Sequence, residues 1–210
     1  MDTISHAPDE PNLAEEMLAE DPMDQFAAWM ADAVTAPLPE PTAVVLATVS
    51  ATARPRARTV LLKQYDSRGF TFYTNRTSRK ATDMAEVPRA SLVFPWYPMH
   101  RQVIVEGSVS ALSIEESEPY FHSRPRGSQL GAWASRQSSV IGSRTELDDR
   151  YAELEGRWPE GTEVPMPDFW GGYRVIPDVV EFWQGRTNRL HDRFRYRRAA
   201  GRWVVERLAP

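Results

Sequence analysis

Residues 43–75 read AVVLATVSATARPRARTVLLKQYDSRGFTFYTN, and their apolar positions recur every second residue. Period two is the signature of strands with one face on a core. The spacing predicts a strand over 43–50, a second over 56–65, a turn at Asp66-Ser67-Arg68-Gly69 and a third strand over 70–75. Toward the N-terminus, Pro37, Pro39 and Pro41 close off a helix that Asp21-Pro22 opens, with Asp at the N-cap and Pro at the first helical position. Phe26, Met30 and Val34 recur every fourth residue and form its expected buried stripe. Toward the C-terminus, Ser78 opens a short helix to Glu86, and strands follow over 90–97 and 102–112. Ser113 with Glu116 and Ser143 with Glu146 have capping-box spacing, which predicts helices over 113–122 and 143–158. Four further strands are expected over 172–175, 179–184, 190–198 and 202–207. No strand–helix–strand alternation occurs, so the fold class is mainly β with packed helices, an antiparallel sheet or barrel.

The chain has 210 residues, 25 of them Lys or Arg and 29 Asp or Glu. That length predicts one domain over 22–210 behind a flexible acidic tail over 1–21. Residues 1–53 hold ten acidic and no basic residues, whereas 54–210 hold 25 basic and 19 acidic, a net +6. A basic body behind an acidic leader points to an anionic partner. Only Lys63 and Lys80 are lysines, which marks them as places where a compact point charge is wanted. Without cysteine, disulfides, thiolate metal sites and cysteine nucleophiles are excluded. The opening MDTISHAPDE lacks a basic n-region and an apolar h-region, and no apolar run reaches the ~18 residues of a membrane span. A cytoplasmic protein is expected.

No GxGxxG, Walker loop or GxSxG is present, and the four histidines lie too far apart for HxxxH or HExxH, so no metal site is expected. Four stretches could carry chemistry. In residues 181–198, EFWQGRTNRLHDRFRYRR, a regular strand from Arg189 would place Arg189, His191, Arg193, Arg195 and Arg197 on one face and Leu190, Phe194 and Tyr196 toward a core. That face suits an anionic planar ligand, a solvated basic edge strand or a nucleic-acid surface. In residues 120–135, YFHSRPRGSQLGAWAS, a helix is expected to run into a loop with Arg124, Arg126, Gly127 and Ser128. This is phosphate-binding chemistry or an ordinary helix C-terminus. Arg58 and Lys63 fall on opposite faces of a regular strand and meet one ligand only through a bulge or at the sheet edge. Arg79-Lys80 opposes the dipole of the helix it opens, which is unfavourable unless an anion sits there.

RPRGSQLGAWAS (124–135), FWGGYR (169–174), EFWQGRTNRLHDRFRYRR (181–198) and the terminal RLAP resemble the pyridoxamine 5′-phosphate oxidase family. RTVLLK (58–63), YTN (73–75), SRK (78–80) and RQV (101–103) extend the resemblance in the same order, over about residues 22–210. It implies an FMN-binding split β-barrel, a homodimer with FMN at the subunit interface. By motif, Arg58, Thr59, Val60, Leu61, Leu62, Lys63, Tyr73, Thr74, Arg79, Lys80 and Gln102 would hold FMN from one subunit. Gln137, Ser138, Trp183 and Arg193 would reach it from the other. Lys63, Tyr120, Arg124 and Ser128 would hold the substrate phosphate, with Arg189, Leu190 and His191 at the pyridine end and Arg189 and His191 as catalytic residues.

The implied activity is oxidation of pyridoxine or pyridoxamine 5′-phosphate to pyridoxal 5′-phosphate, with O2 as acceptor and H2O2 released. No nucleic acid or membrane partner is implied. Two departures stand out. Many members carry Arg and Tyr in an N-terminal segment that closes over the substrate, whereas residues 1–28 here contain neither. An N-terminal Arg cluster linked in some members to a second pyridoxal phosphate site is also missing. Rival readings are a split-barrel flavin oxidase for a non-phosphorylated substrate, a non-catalytic carrier of flavin or pyridoxal phosphate, and a nucleic-acid-binding barrel.

Overall fold

The computed structural model describes residues 13–210. Residues 1–12, and with them much of the expected acidic tail, lie outside the described residues. Helix α1 (Pro22–Thr35) starts as its sequence dictates, with the Asp21 carboxylate accepting from Met23 N at 2.8 Å. Phe26, Met30 and Ala33 are buried, but Val34 is 61% exposed. Fourfold spacing advances 40° beyond a full turn at each step, so by Val34 the stripe has passed to Ala33.

Strands β1 (Ala43–Val49), β2 (Pro55–Leu61), β3 (Gln64–Asp66) and β4 (Gly69–Asn75) follow, then helix α2 (Arg79–Glu86). Next come β5 (Arg89–Trp96), β6 (Arg101–Ala111), α3 (Ile114–Ser123), α4 (Arg126–Ala134), α5 (Arg144–Arg157), β7 (Trp170–Gln184), β8 (Asp192–Ala199) and β9 (Arg202–Arg207). The capping box at α3 is reciprocal, Ser113 Oγ accepting from Glu116 N and Glu116 Oε2 from Ser113 N, both at 3.2 Å.

The strands form one antiparallel sheet in the order β2-β1-β5-β6-β7-β4-β3, with β8 and β9 continuing from β7. The segments expected over 172–175 and 179–184 are a single strand, β7. Its first half pairs with β4 and its second with β8, while β6 runs along the whole length. A bulge where Glu106 and Gly107 oppose Val179 and Pro177 lets β7 bend between the two. Gly107 is required there, because a Cβ would lie 2.0 Å from the Ile176 carbonyl oxygen.

Inside the curled sheet, Phe26 of α1 meets Phe70 edge to face at 4.8 Å and Phe94 at 4.9 Å, and Trp29 meets Phe182 at 5.2 Å. Each such ring contributes about 1.5–3 kcal/mol by leaving water. A smaller core of Phe121, Leu130, Val164 and Trp170 joins α3 and α4 to the start of β7. It explains α4, which contradicts the loop expected around Arg126–Ser128: Leu130 and Ala134 bury one face despite Gly127 and Gly131. Ahead of α1, Leu13 is buried and Tyr196 donates to the Ala19 carbonyl at 2.8 Å.

Candidate active site

Strands β2 and β3 are neighbours in sequence yet stand at opposite ends of the sheet order. The predicted continuous strand over 56–65 is therefore broken, and the break lies at Leu62-Lys63. Leu62 N donates to Thr42 O beside β1, and Lys63 N to Thr71 O on β4, each at 2.9 Å. The chain thus steps from one edge of the sheet to the other, nearly closing a barrel. Leu62 is buried in the core as the anchor of that step, so its side chain, expected at the ligand, does not face the cleft. Regular alternation is lost, and Arg58 and Lys63 line the same cleft.

The cleft has a volume of about 770 Å³. Among the described residues β2 pairs only with β1, and its outer edge offers free backbone donors and acceptors along Thr59–Leu61. Tyr73 of β4 stacks on Tyr120 of α3 (centroids 4.1 Å apart, 25° between planes) and on Trp170 of β7 (5.3 Å, 11°). The Arg124 guanidinium lies over Trp170 at 4.8 Å, and one of its nitrogens donates to the Ser128 carbonyl at 2.7 Å. Its other terminal nitrogen, Nη1, is buried with no partner among the described residues. Burial lowers the Arg124 pKa from its ordinary value. A cation so placed, lining the cleft beside Tyr120, Ser128 and Lys63, fits a phosphate group.

At the other end Lys80 is buried, and among the described residues its Nζ donates only to neutral oxygens: Thr74 Oγ1 (2.9 Å), Ser78 Oγ (3.2 Å) and Gln137 Oε1 (2.5 Å). Burial first, and the neighbouring Arg58 second, pull its ammonium down to about 8. Ser78 takes the N-cap position of α2 but makes no side-chain cap; its hydroxyl serves Lys80 instead. Ser138, held at φ 74°, accepts from Arg79 N at 3.3 Å. Arg56, Arg58, Arg79, Lys80 and Ser138 line an adjoining pocket of about 500 Å³. Four cations around one space, with no carboxylate among its lining groups, form a site for a doubly charged anion.

The structure thus brings Arg58, Thr59, Val60, Leu61, Lys63, Tyr73, Thr74, Lys80, Tyr120, Arg124, Ser128 and Gln137 into one cleft, with Arg79 and Ser138 at its cationic end. Gln137 and Ser138 reach this site from their own chain, which corrects the expectation that they arrive from a second subunit. Gln102 does the reverse: it pairs in register with Trp183, which pairs with Arg193, in a row across β6, β7 and β8 that does not line the cleft.

Beside that row the chain makes a turn at Thr187–Arg189, with Asn188 at φ 57° and Arg189 at φ 61°. Arg189 and His191 are therefore not on a strand with Arg193, and Leu190, expected in the core, is 68% exposed. The His191 ring lies 4.6 Å from Trp183, and its Nδ1 accepts from Arg186 N at 3.0 Å. Arg193 donates to Glu181 Oε1 at 2.8 Å and to Ala209 O at 2.9 Å, while Glu206 accepts from Arg195 and Arg197.

Arg56 and Trp170 are among the residues that escaped the sequence reading. Arg56 shares the parity of Arg58, a signal that could have found it. Trp170 sits in FWGGYR, whose spacing gives no hint that its ring backs the cleft.

The family model described as pyridoxamine 5′-phosphate oxidase matches residues 30–157, and that of the pyridoxine 5′-phosphate oxidase C-terminal dimerisation region matches 170–210. A relative in Frankia alni named pyridoxine/pyridoxamine 5′-phosphate oxidase is 62% identical over 202 residues, covering 94% of this chain and 84% of its own. One of the same name in Bordetella petrii is 53% identical, covering 94% and 93%. Among solved structures, PhzG from Burkholderia lata 383, in complex with tetrahydrophenazine-1-carboxylic acid, superposes with a TM-score of 0.90 at 30% identity, over 96% of this chain and 98% of that one.

Proposed function

The chain belongs to the pyridoxamine 5′-phosphate oxidase family, and from that premise we propose that it oxidises pyridoxine and pyridoxamine 5′-phosphates to pyridoxal 5′-phosphate. It is an FMN-dependent, homodimeric split-barrel enzyme. When bound, FMN would supply the redox chemistry, by which two electrons and two protons leave the substrate and reach O2 as H2O2; with the amine substrate, water then releases ammonia from the imine.

The residues present fit that group. Arg58, Arg79, Lys80 and Ser138 would hold its phosphate, with Gln137 between Lys80 and Thr74. The open edge of β2 over Thr59–Leu61 and the Tyr73–Thr74 segment would receive its ring. Gln102, Trp183 and Arg193 lie off the cleft in their own chain, within the region of the dimerisation model or paired to it. They would therefore complete the site of the second subunit.

The observation that carries the substrate assignment is the convergence of Lys63 and Arg124, with Tyr120 and Ser128, on one cleft. A phosphorylated substrate gains charge-assisted hydrogen bonds there, each contributing about 1.5–3 kcal/mol, which a non-phosphorylated one forgoes. Lys63, Tyr120, Arg124 and Ser128 grip the phosphate, and binding energy at that remote end aligns the reacting carbon. Arg189, Leu190 and His191 meet the pyridine end. Because His191 Nδ1 accepts a backbone N–H, the neutral ring carries its proton on Nε2 and offers a donor there. A cytoplasmic location belongs to the same proposal, and cell fractionation tests it; no helix among the described residues is long and apolar enough to cross a membrane.

The deciding experiment is anaerobic mixing of FMN-loaded protein with pyridoxine 5′-phosphate. Bleaching of the oxidised-flavin absorbance, with colour returning in air, is the expected result. A stable yellow colour with both phosphorylated substrates would overturn the proposal.

A further inference from the structure

One buried carboxylate stands behind the cationic end of the cleft. Asp83, one turn beyond Lys80 on α2, is 1% exposed. Its Oδ1 accepts from Arg56 Nη1, and its Oδ2 accepts from Thr48 Oγ1 at 2.8 Å and lies 3.9 Å from Arg58 Nη2. The Thr48 hydroxyl has a single proton, which goes to Asp83, so its lone pair is left to accept from Arg58 Nη1 at 2.8 Å. Arg58 Nη1 also donates to Leu46 O at 3.0 Å. The two arginines on β2 are thus tied at their guanidinium groups to α2 and β1, while both still line the pocket that Lys80 and Arg79 face.

We infer that Asp83 is a positioning residue for cofactor binding: through Arg56 directly, and through Thr48 to Arg58, it aims both guanidinium groups at the phosphate of the flavin. This rests on the reading of the cleft as an FMN site. Two physical effects oppose each other. The carboxylate charge repels a phosphate dianion, whereas its hydrogen bonds hold two long side chains that would otherwise spread under mutual repulsion. Burial lowers the Arg58 pKa, the Asp83 charge raises it and Arg56 lowers it again, consistent with a carboxylate that keeps a crowded pair charged. Arg56, a residue no motif singled out, becomes a phosphate ligand through this arrangement.

The test separates phosphate from ring by titrating FMN and riboflavin into the full-length dimer freed of flavin, reading flavin fluorescence. In the wild type, the ratio of the two affinities reports what the phosphate contributes. Asp83→Ala is expected to lower that ratio at least tenfold, about the loss from misaiming one charge-assisted hydrogen bond, with riboflavin binding unchanged. Asp83→Asn, which keeps an oxygen for Arg56, restores part of it. Arg56→Ala, at a half-exposed position, lowers the ratio as well, and the double variant falls by less than the sum of the singles. Asp83→Ala weakening both flavins alike would assign Asp83 to the fold only, and tighter FMN binding would mean that its charge merely repels; either overturns the inference. A wild-type ratio of one would instead remove the phosphate site itself, and the inference with it.

Discussion

Lys80 is a buried cation with three neutral oxygen partners, and its ammonium titrates near pH 8. A phosphate dianion favours the charged form, so FMN affinity is expected to fall as pH rises through about 8. Fluorescence titration at pH 7 and 9.5 checks this, and Lys80→Arg should flatten the dependence. The linkage for the flavin-free protein has the opposite sense. The folded value lies below the unfolded one, so the unfolded chain holds more protons between about pH 8 and the ordinary lysine range near ~10.4. Stability therefore climbs across that window, and Lys80→Met should abolish the climb in urea titrations. Arg124→Ala should lower kcat/KM for the phosphorylated substrate roughly 10- to 100-fold, in kcat as well as in KM, because binding at the remote phosphate aligns the reacting carbon. His191→Ala and Arg189→Ala should lower turnover while FMN stays bound; wild-type kinetics in both would remove them from the reaction.

At the scale of elements, the bend in β7 and the step between β2 and β3 shape the cleft. Gly107→Ala drives a methyl into the Ile176 carbonyl and should cost roughly 3 kcal/mol, seen as a lower urea midpoint. Tyr196→Phe removes the hydroxyl held by Ala19. It should cost about 1 kcal/mol and raise amide exchange selectively at residues near Ala19.

At the scale of the whole molecule, the residues proposed for the site fall into two groups: those lining the cleft, and the row of Gln102, Trp183 and Arg193 with His191 beside it, which does not line it. If each active site takes one half from each subunit, Lys63→Ala and Arg189→Ala lesions fall in different halves. A heterodimer of the two then rebuilds one intact site. Co-expression should restore about a quarter of wild-type activity, since half of randomly paired dimers are mixed and each holds one good site of two. No restoration would place both halves of a site in one chain.

The sequence by itself determined the local elements whose causes are local. Asp21-Pro22 starts α1, Ser113 and Glu116 cap α3, and alternation over 43–49 buries Val44, Leu46 and Thr48. It also marked Lys63 and Lys80, and its motifs named most of the cleft. Only the tertiary structure decided the rest. The break at Leu62-Lys63 arises because the chain steps there from one edge of the curled sheet to the other, a relation that no window of residues contains. Helix α4 exists because Phe121 and Trp170 supply a core for Leu130, outweighing two glycines. Asp83 became a partner of Arg56 and Thr48 because α2 packs behind β1 and β2, joining residues 27 and 35 positions apart. Hydrophobic periodicity and capping act within a few residues, whereas a binding site is built from groups that only chain closure brings together.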